Sequence, residues 1–417
     1  MIFINGIELL LDEYSSDEHP LLDESVSLSA EKKIKGNKIT HRLTLKTDIF
    51  NAETMNNLKK ELLRIAKDYD AEKRDVMAYT LYIFLKVNFF ADKSVVMIIE
   101  SLIYALSSNR DFRLYINVKI PGDYQQHLLC NFYELSFLKT VVTKFISSHE
   151  YCCSYKMYKG NLRARENIGH FRYFIDTERK ENILLPSKLE SDINSLLKCH
   201  FESKKDIIDD ICTIVGELSD NIVAHTHGQG VVEIAYIPVY KKDDDCDINY
   251  FHFMINVINF SKEKLYSNII KCYTGNNMDE LMRQKIKKAY DIHKKYFDGG
   301  KYTENLFFMV SAFQNGTTTR KTAGGGGTGL NKVIKKFSKK SQSDEKQGKV
   351  VSYVYSGCEI LSFDKRILSS TSLGDSIAFN KSNNYNEIPD ESCVTNSSFH
   401  LDGTAYNLMF IIKEDDL

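Results

Sequence analysis

The chain carries almost no net charge: 55 basic and 56 acidic side chains in 417 residues leave −1 at neutral pH. No global field therefore draws it to nucleic acid or to a membrane surface. Its nine cysteines include no C-x-x-C spacing and only one adjacent pair, Cys152 and Cys153. An odd, scattered set in a chain of this length reads as reduced and mostly structural, which predicts a cytoplasmic protein. No basic stretch precedes the apolar residues of "MIFINGIELLLDEYSSDEH", which turns acidic at once, so a signal peptide is not expected. The longest apolar run, "SVVMIIESLIYAL", is too short to cross a bilayer and is interrupted by Glu100, so no membrane span is expected. No internal repeat is evident.

What is present is length enough for two or three domains and ample apolar content for real cores. Residues 1–45 read as an N-terminal extension. Residues 46–145 alternate helical and strand-like stretches ("NAETMNNLKKELLRIAKDY", "YTLYIFLKV", "KSVVMIIESLIYALS", "FRLYINVKIP"), which suggests a small α/β module. Residues 146–200, rich in Lys, Arg and Tyr, read as a connector. From about 201 to 417 the order is a long amphipathic helix, two strands, a long segment over about 262–323, a glycine run, a second helix and further strands, with a polar, Ser- and Asn-rich insertion near 365–398. That describes an α/β sandwich with one helical face.

The glycine run lies in "RKTAGGGGTGLNKVIKKF", residues 320–337. After it, Leu330, Val333, Ile334 and Phe337 follow helical spacing. A flexible loop running into a helix start suits phosphate, because glycine allows close approach of the backbone and the helix start offers unpaired N–H groups. The dinucleotide pattern fits poorly, since polar "NGTTTRKTA" stands where a buried strand belongs, and the P-loop pattern fails because Leu330 and Asn331 follow the last glycine. The alternative is a plain linker ahead of a surface helix. The long helix, "KKDIIDDICTIVGELSDNIVAH", supplies a polar ridge beside its apolar stripe: Glu217, Asn221 and His225 lie at i, i+4 and i+8. Asn221 could offer a neutral oxygen to Mg²⁺, and Glu217 could orient or deprotonate a water. His225 and His227 read as helix-end residues beside Gly228 rather than metal ligands. The lysine run from Lys332 to Lys340 reads as a solvated helix face, so nucleic-acid binding is not expected.

"ELSDNIVAH" followed a hundred residues later by "GGGGTGL" and a helix resembles the GHKL family of ATP-binding domains, with its gyrase B, MutL, chaperone, histidine kinase and anti-sigma kinase members. The resemblance covers residues 200–417. It implies a Bergerat-type α/β sandwich that binds ATP and Mg²⁺ between the long helix and a mobile lid formed by about 262–323. It also implies Asn221 as the Mg²⁺ ligand, Glu217 as the water-activating residue, and an assisting role for Asp220. Gly325, Gly327 and Gly329, with Thr328 and Leu330, match the phosphate-wrapping loop. Thr318, Thr319 or Arg320 would reach the γ-phosphate from the lid. Where the family's adenine-reading D-x-G-x-G belongs, this chain has Asn259 and Ser261, so adenine would be read by an amide instead of a carboxylate.

The N-terminal module resembles a STAS domain, in which a serine after an aspartate at a helix start can be phosphorylated. Asp92 and Ser94 occupy that neighbourhood, where the preferred reading is that one of them simply closes the helix start. Three functions follow: an ATPase switch reset by Glu217, an anti-sigma-type serine/threonine kinase acting on a STAS-type or signalling partner, and a non-catalytic nucleotide sensor. A homodimer would suit the first. A gyrase-type transducer domain with its catalytic lysine is not expected after the last strand, so such a lysine would come from elsewhere in the chain, for example Lys321, or from a second subunit.

Overall fold

The computed structural model describes residues 26–72, 78–107, 110–119, 146–147, 169–175, 185–202, 204–225, 229–243, 246–275, 278–317, 329–340, 352–368 and 376–413. Its chain divides into two units, Met1–Tyr158 with Ser397–His400, and Lys159–Asn396 with Leu401–Leu417. Both are mixed α/β. No described helix is long and apolar enough to cross a membrane.

In the first unit, β1 (Ser27–Lys35) and β2 (Lys38–Phe50) form an antiparallel hairpin turned at Gly36, whose φ of 59° suits glycine. β2 then runs parallel to β3 (Ala78–Phe90) through α1 (Ala52–Glu72), and β3 parallel to β4 (Arg113–Lys119) through α2 (Lys93–Ser107). These are two successive βαβ units, as the alternation of the sequence implies. β5 (Ile146–Ser147) closes the sheet order β1-β2-β3-β4-β5. α1 buries Met55, Leu58, Leu62, Ile65 and Ala66 at three-four spacing. α2 is buried along its whole length, Lys93 and Glu100 included, which its near-continuous apolar sequence requires.

One expectation is corrected here, and one reading of the helix start at Asp92 is favoured. Residues 27–45 are not an extension but hairpin strands of the first sheet. The signal was hidden because β1 is an exposed edge strand rich in lysine, and because β2's inward set Ile39, His41, Leu43, Leu45 and Thr47 contains two polar side chains. Asp92 is a cap: its Oδ1 accepts from the Val95 N–H at 3.0 Å, while Ser94 is 1% exposed. A serine so buried at a helix start is out of reach of a phosphotransfer enzyme unless the helix opens.

The second unit is built on an antiparallel sheet ordered β6-β7-β8-β10-β9. β6 spans Gly169–Ile175, β7 Gln229–Asp243, β8 Cys246–Phe260, β9 Tyr353–Ser362 and β10 Val394–Lys413. Period-two alternation gives it two faces. Val232, Ile234 and Tyr236 of β7, Phe251, Phe253, Ile255 and Val257 of β8, and Tyr406, Leu408 and Ile412 of β10 share one core cluster with the helices. Those helices are α3 (Leu185–Phe201), α4 (Lys205–His225), α5 (Leu265–Thr274), α6 (Glu280–His293), α7 (Glu304–Ala312) and α8 (Gly329–Lys340). The opposite set, including Val231, Glu233, Met254, Asn256, Ala405 and Asn407, is buried as well.

Three further boundaries differ from expectation. The connector 146–200 contains β6 and α3, whose Leu189, Ile193, Leu196 and Leu197 belong to the core; β6 was obscured by His170 and Arg172 on its second face. The segment read as a mobile lid over 262–323 holds α5, α6 and α7, and its Ile269, Met282, Ile286 and Leu306–Val310 are core residues. A lid of that extent would have to withdraw those side chains from the core as it opened, so the packed helices argue against it. Residues 318–323 of that segment lie outside the described residues. The polar insertion 365–398 contains the short helix α9 (Lys365–Leu368) and buries Ile377, Phe379 and Tyr385 in the same core.

Candidate functional site

The three-four spacing of Ile207, Ile208, Ile211, Ile214, Val215, Leu218 and Ile222 fixes which side of α4 enters the core. It leaves Glu217, Asp220 and Asn221 half-buried along one edge. α8 is held beside α4 by Val333, Ile334 and Phe337 in the core. Two ion pairs set its direction: Lys336 bonds Asp210, and Lys332 Nζ lies 3.5 Å from Glu217 Oε1. Partners that ascend along α8 descend along α4, so the helices run antiparallel.

That register brings the start of α8 to Glu217. At Gly329, a Cβ would stand 2.5 Å from Glu217 Oε2. Only a glycine admits the carboxylate so closely. Glu217 therefore sits where the first N–H groups of α8 and its positive dipole end are directed, with Lys332 beside it. A second carboxylate approaches from α3: a Cβ on Gly216 would lie 1.8 Å from Glu190 Oε1. Glycine inside a helix costs about 1 kcal/mol relative to alanine, and here it makes room for Glu190. Burial raises the Glu190 carboxyl above its ordinary 4.5, and the neighbouring Glu217 charge raises it further.

The sign of this shift gives a testable result. A carboxyl with a raised folded value contributes stability at pH below its unfolded value and loses it as pH rises through the folded one. At pH 7 an ionised Glu190 is thus unfavourable beside Glu217. Glu190→Gln is expected to be more stable than wild type at pH 7 by on the order of 0.5 kcal/mol, since the pair is partly screened. The gain should vanish near pH 4 in chemical denaturation; a variant less stable at pH 7 would assign Glu190 a favourable contact instead.

Ile222 packs on Gly230 of β7, where a Cβ would meet Ile222 Cδ1 at 2.8 Å, and Gly230 pairs with Asn259 at the end of β8. Asn259 Oδ1 accepts from the Thr404 N–H at 2.7 Å. One lone pair of the carbonyl expected to meet an adenine amino group is thus already engaged inside the sheet, and only the second is left for a ligand. Ser261 Oγ accepts from the Glu263 N–H at 3.0 Å.

Of the residues the sequence singled out, the structure brings Glu217 together with Gly329, and puts Asp220 and Asn221 on the same edge of α4. Leu330 packs at the rim of the core. His225 ends α4, and its side chain lies outside the described part. Thr318, Thr319, Arg320, Gly325, Gly327 and Thr328 also lie outside the described residues. Sequence reasoning missed Glu190, which carries no local motif; a glycine in mid-helix at 216 was the one available signal. Comparison with protein-family models, with curated proteins and with solved structures finds no match. Among the described residues no group of three His, Cys, Asp or Glu side chains is placed to hold a metal. An ion held by one amide oxygen and a nucleotide's phosphates needs no such group.

Proposed function

We propose that residues 201–417 form a GHKL-type, Bergerat-like domain that binds Mg-ATP at the junction of α4 and α8, and that the protein is an ATPase conformational switch. The observation that carries the reading is the meeting of Glu217 with Gly329, because it joins two motifs a hundred residues apart at a helix start suited to phosphate. The antiparallel sheet with helices packed on one face supports the sandwich reading, and the two parallel βαβ units of the first unit support a STAS-like module.

The donor set fits the proposed ligand. Asn221 is half-buried and makes no side-chain hydrogen bond among the described residues, so its carbonyl is available to Mg²⁺. Gly329 leaves room for the Glu217 carboxylate at the start of α8, where a methyl would meet it. Bound Mg²⁺ would neutralise charge developing on the phosphates. Glu217 would take the proton of an attacking water, with Lys332 as its counter-charge and Glu190 as a second carboxylate able to receive that proton in turn. A partner, whether a second copy or a STAS-type signalling protein, would read the difference in binding free energy between ATP-bound and free states.

Mg-ATP titrated into the full chain is expected to release heat, and wild type to release phosphate. Glu217→Ala should retain ATP binding and lose at least about a hundredfold in phosphate release, the usual weight of a general base. No heat in wild type overturns nucleotide binding, and equal loss of binding and turnover assigns Glu217 a structural role. Label from γ-labelled ATP appearing on a STAS-type partner would replace hydrolysis by phosphotransfer.

A further inference from the structure

Apart from α4 and α8, one cleft in the second unit is built from residues the proposed function does not use. It lies between α6 and the segment Ser376–Asp390, and measures about 440 Å³, within the usual range for a small-molecule site. Its lining is Lys285 and Lys288 from α6, Ser376 and Ser382, and the run Asn383–Asn386. Every one of these side chains can donate a hydrogen bond, and none is a carboxylate.

The wall is held rigidly before any ligand arrives. Gln314 clamps Ile377, donating from Nε2 to its carbonyl at 2.7 Å and accepting its N–H at 3.3 Å. The Asn380 amide donates to the carbonyls of Asn384, Glu387 and Ile388. The Tyr385 ring is buried against Phe307, with centroids 6.0 Å apart, and its hydroxyl bonds Ser311 at 2.6 Å. Phe379 and Asn383 hold φ values of 57° and 48°, a left-handed conformation a phenylalanine adopts only when its surroundings impose it. Glu387 accepts from Ser382 and Asn384, which fixes those two side chains at the edge of the cleft.

Opposite this wall stand two cations one helical turn apart. Lys285 Nζ donates to Ser376 Oγ at 2.9 Å and lies 5.7 Å from the Tyr385 ring centroid. Lys288 is exposed and makes no ion pair among the described residues. Two ammonium groups over a wall of amides and hydroxyls match a phosphate carried on a hydroxylated body. Lysine serves phosphate as a point charge from any direction, whereas a planar carboxylate is the better match for arginine's fork. A nucleobase finds no platform here, because the one aromatic ring of the lining is already covered by Phe307 and Lys285.

We propose that this cleft binds a small phosphate-bearing, hydroxylated molecule of sugar-phosphate size, with Lys285 and Lys288 on the phosphate and the Ser and Asn wall on the hydroxyls. Such a site would let the second unit sense a phosphorylated metabolite independently of ATP. The test is calorimetric titration of the full chain with inorganic phosphate, glucose 6-phosphate, ribose 5-phosphate, glycerol 3-phosphate and, as a phosphate-free anion, citrate. At least one organic phosphate should bind more tightly than inorganic phosphate, and citrate more weakly than either. Lys288→Met, an exposed position without an ion pair, should keep the wild-type melting temperature and weaken that binding about tenfold; Lys285→Met/Lys288→Met should abolish it. Absence of binding, or binding that both lysine variants leave unchanged, overturns the site. Citrate binding as tightly as the best organic phosphate overturns the phosphate assignment, and inorganic phosphate doing so overturns the role of the hydroxyl wall. Because the readout depends on Lys285 and Lys288 alone, it stands or falls separately from nucleotide binding at Glu217.

Discussion

Glu233→Ala is expected to destabilise the second unit by roughly 3–5 kcal/mol, among the largest single losses this chain can show. Glu233 lies on β7 with its side chain 1% exposed, accepts from Arg172 Nε at 2.6 Å and pairs with His170 Nε2 at 2.9 Å. Arg172 stands directly opposite it on β6, 3% exposed, and Asn256 and Asn407 continue the same row across β8 and β10. A guanidinium cannot shed its proton to escape burial. Truncating Glu233 therefore takes from a buried guanidinium an acceptor in direct contact with it, and the poorer compensation of that charge, more than the lost attraction, sets the magnitude. The corollary separates the two contributions: Arg172→Met/Glu233→Met, which removes both charges and keeps side-chain volume, should recover most of the loss. Urea unfolding of the two variants decides it. A double variant as unstable as Glu233→Ala, or a single loss under about 1 kcal/mol, would show that the pair is not the main support of this face.

That row also marks the limit of what the sequence disclosed. The parts of the fold that were legible are those where one periodicity runs unbroken. The isoleucines of α4 at three-four spacing, the alternation in "VVEIAYIPVY" and "YFHFMINVINF", and the apolar stripe of α8 all became elements within a few residues of where they were read. β1, β2 and β6 were not, because polar side chains occupy inward positions: His41 and Thr47 on β2, His170 and Arg172 on β6. A residue such as Glu233 looks like solvent-facing punctuation until the partner that makes it tolerable is seen 61 residues away. The same holds for Ser376–Asp390. Its Asn and Ser content reads as loop, yet those amides close on backbone carbonyls and free Ile377, Phe379 and Tyr385 to enter the core.

The candidate site divides along the same line. Glu217 and Gly329 were readable because each sits in a local motif, and their contact follows from the antiparallel register of two amphipathic helices. Glu190 was not, since nothing in "SKLESDINS" separates it from the solvated edge of α3. The lid reading had a different basis. It rested on resemblance, while "NLFFMVSAF" in α7 carries more apolar surface than a segment that leaves the core could expose without penalty. Nor could the sequence show that the Asn259 amide is bonded to a backbone N–H 145 residues later.

Gly403→Ala tests that last contact, and its expected cost is roughly 3 kcal/mol or more. Gly403 has a φ of 136°, a region side chains of L residues rarely adopt, and a Cβ there would stand 1.9 Å from the Asn259 backbone oxygen. The obstructing atom belongs to a strand, so no rotamer change relieves it; β8 and β10 would have to separate where Thr404 pairs with Asn259. Gly329 makes the contrast. Its neighbour is the far end of the flexible Glu217 side chain, which can swing aside, so a methyl there is expected to disturb the proposed site and hardly the fold. At Gly403 both are at stake, because the Asn259 Oδ1 lies only 2.9 Å from the same Cβ position. Thermal unfolding should therefore show the stability loss, and any residual folded protein should have lost the Thr404 N–H protection that hydrogen exchange reads at this bond. A Gly403→Ala protein with wild-type stability would mean that the strand ends yield more readily than their hydrogen bonds imply, and that Asn259 is free to turn toward a ligand.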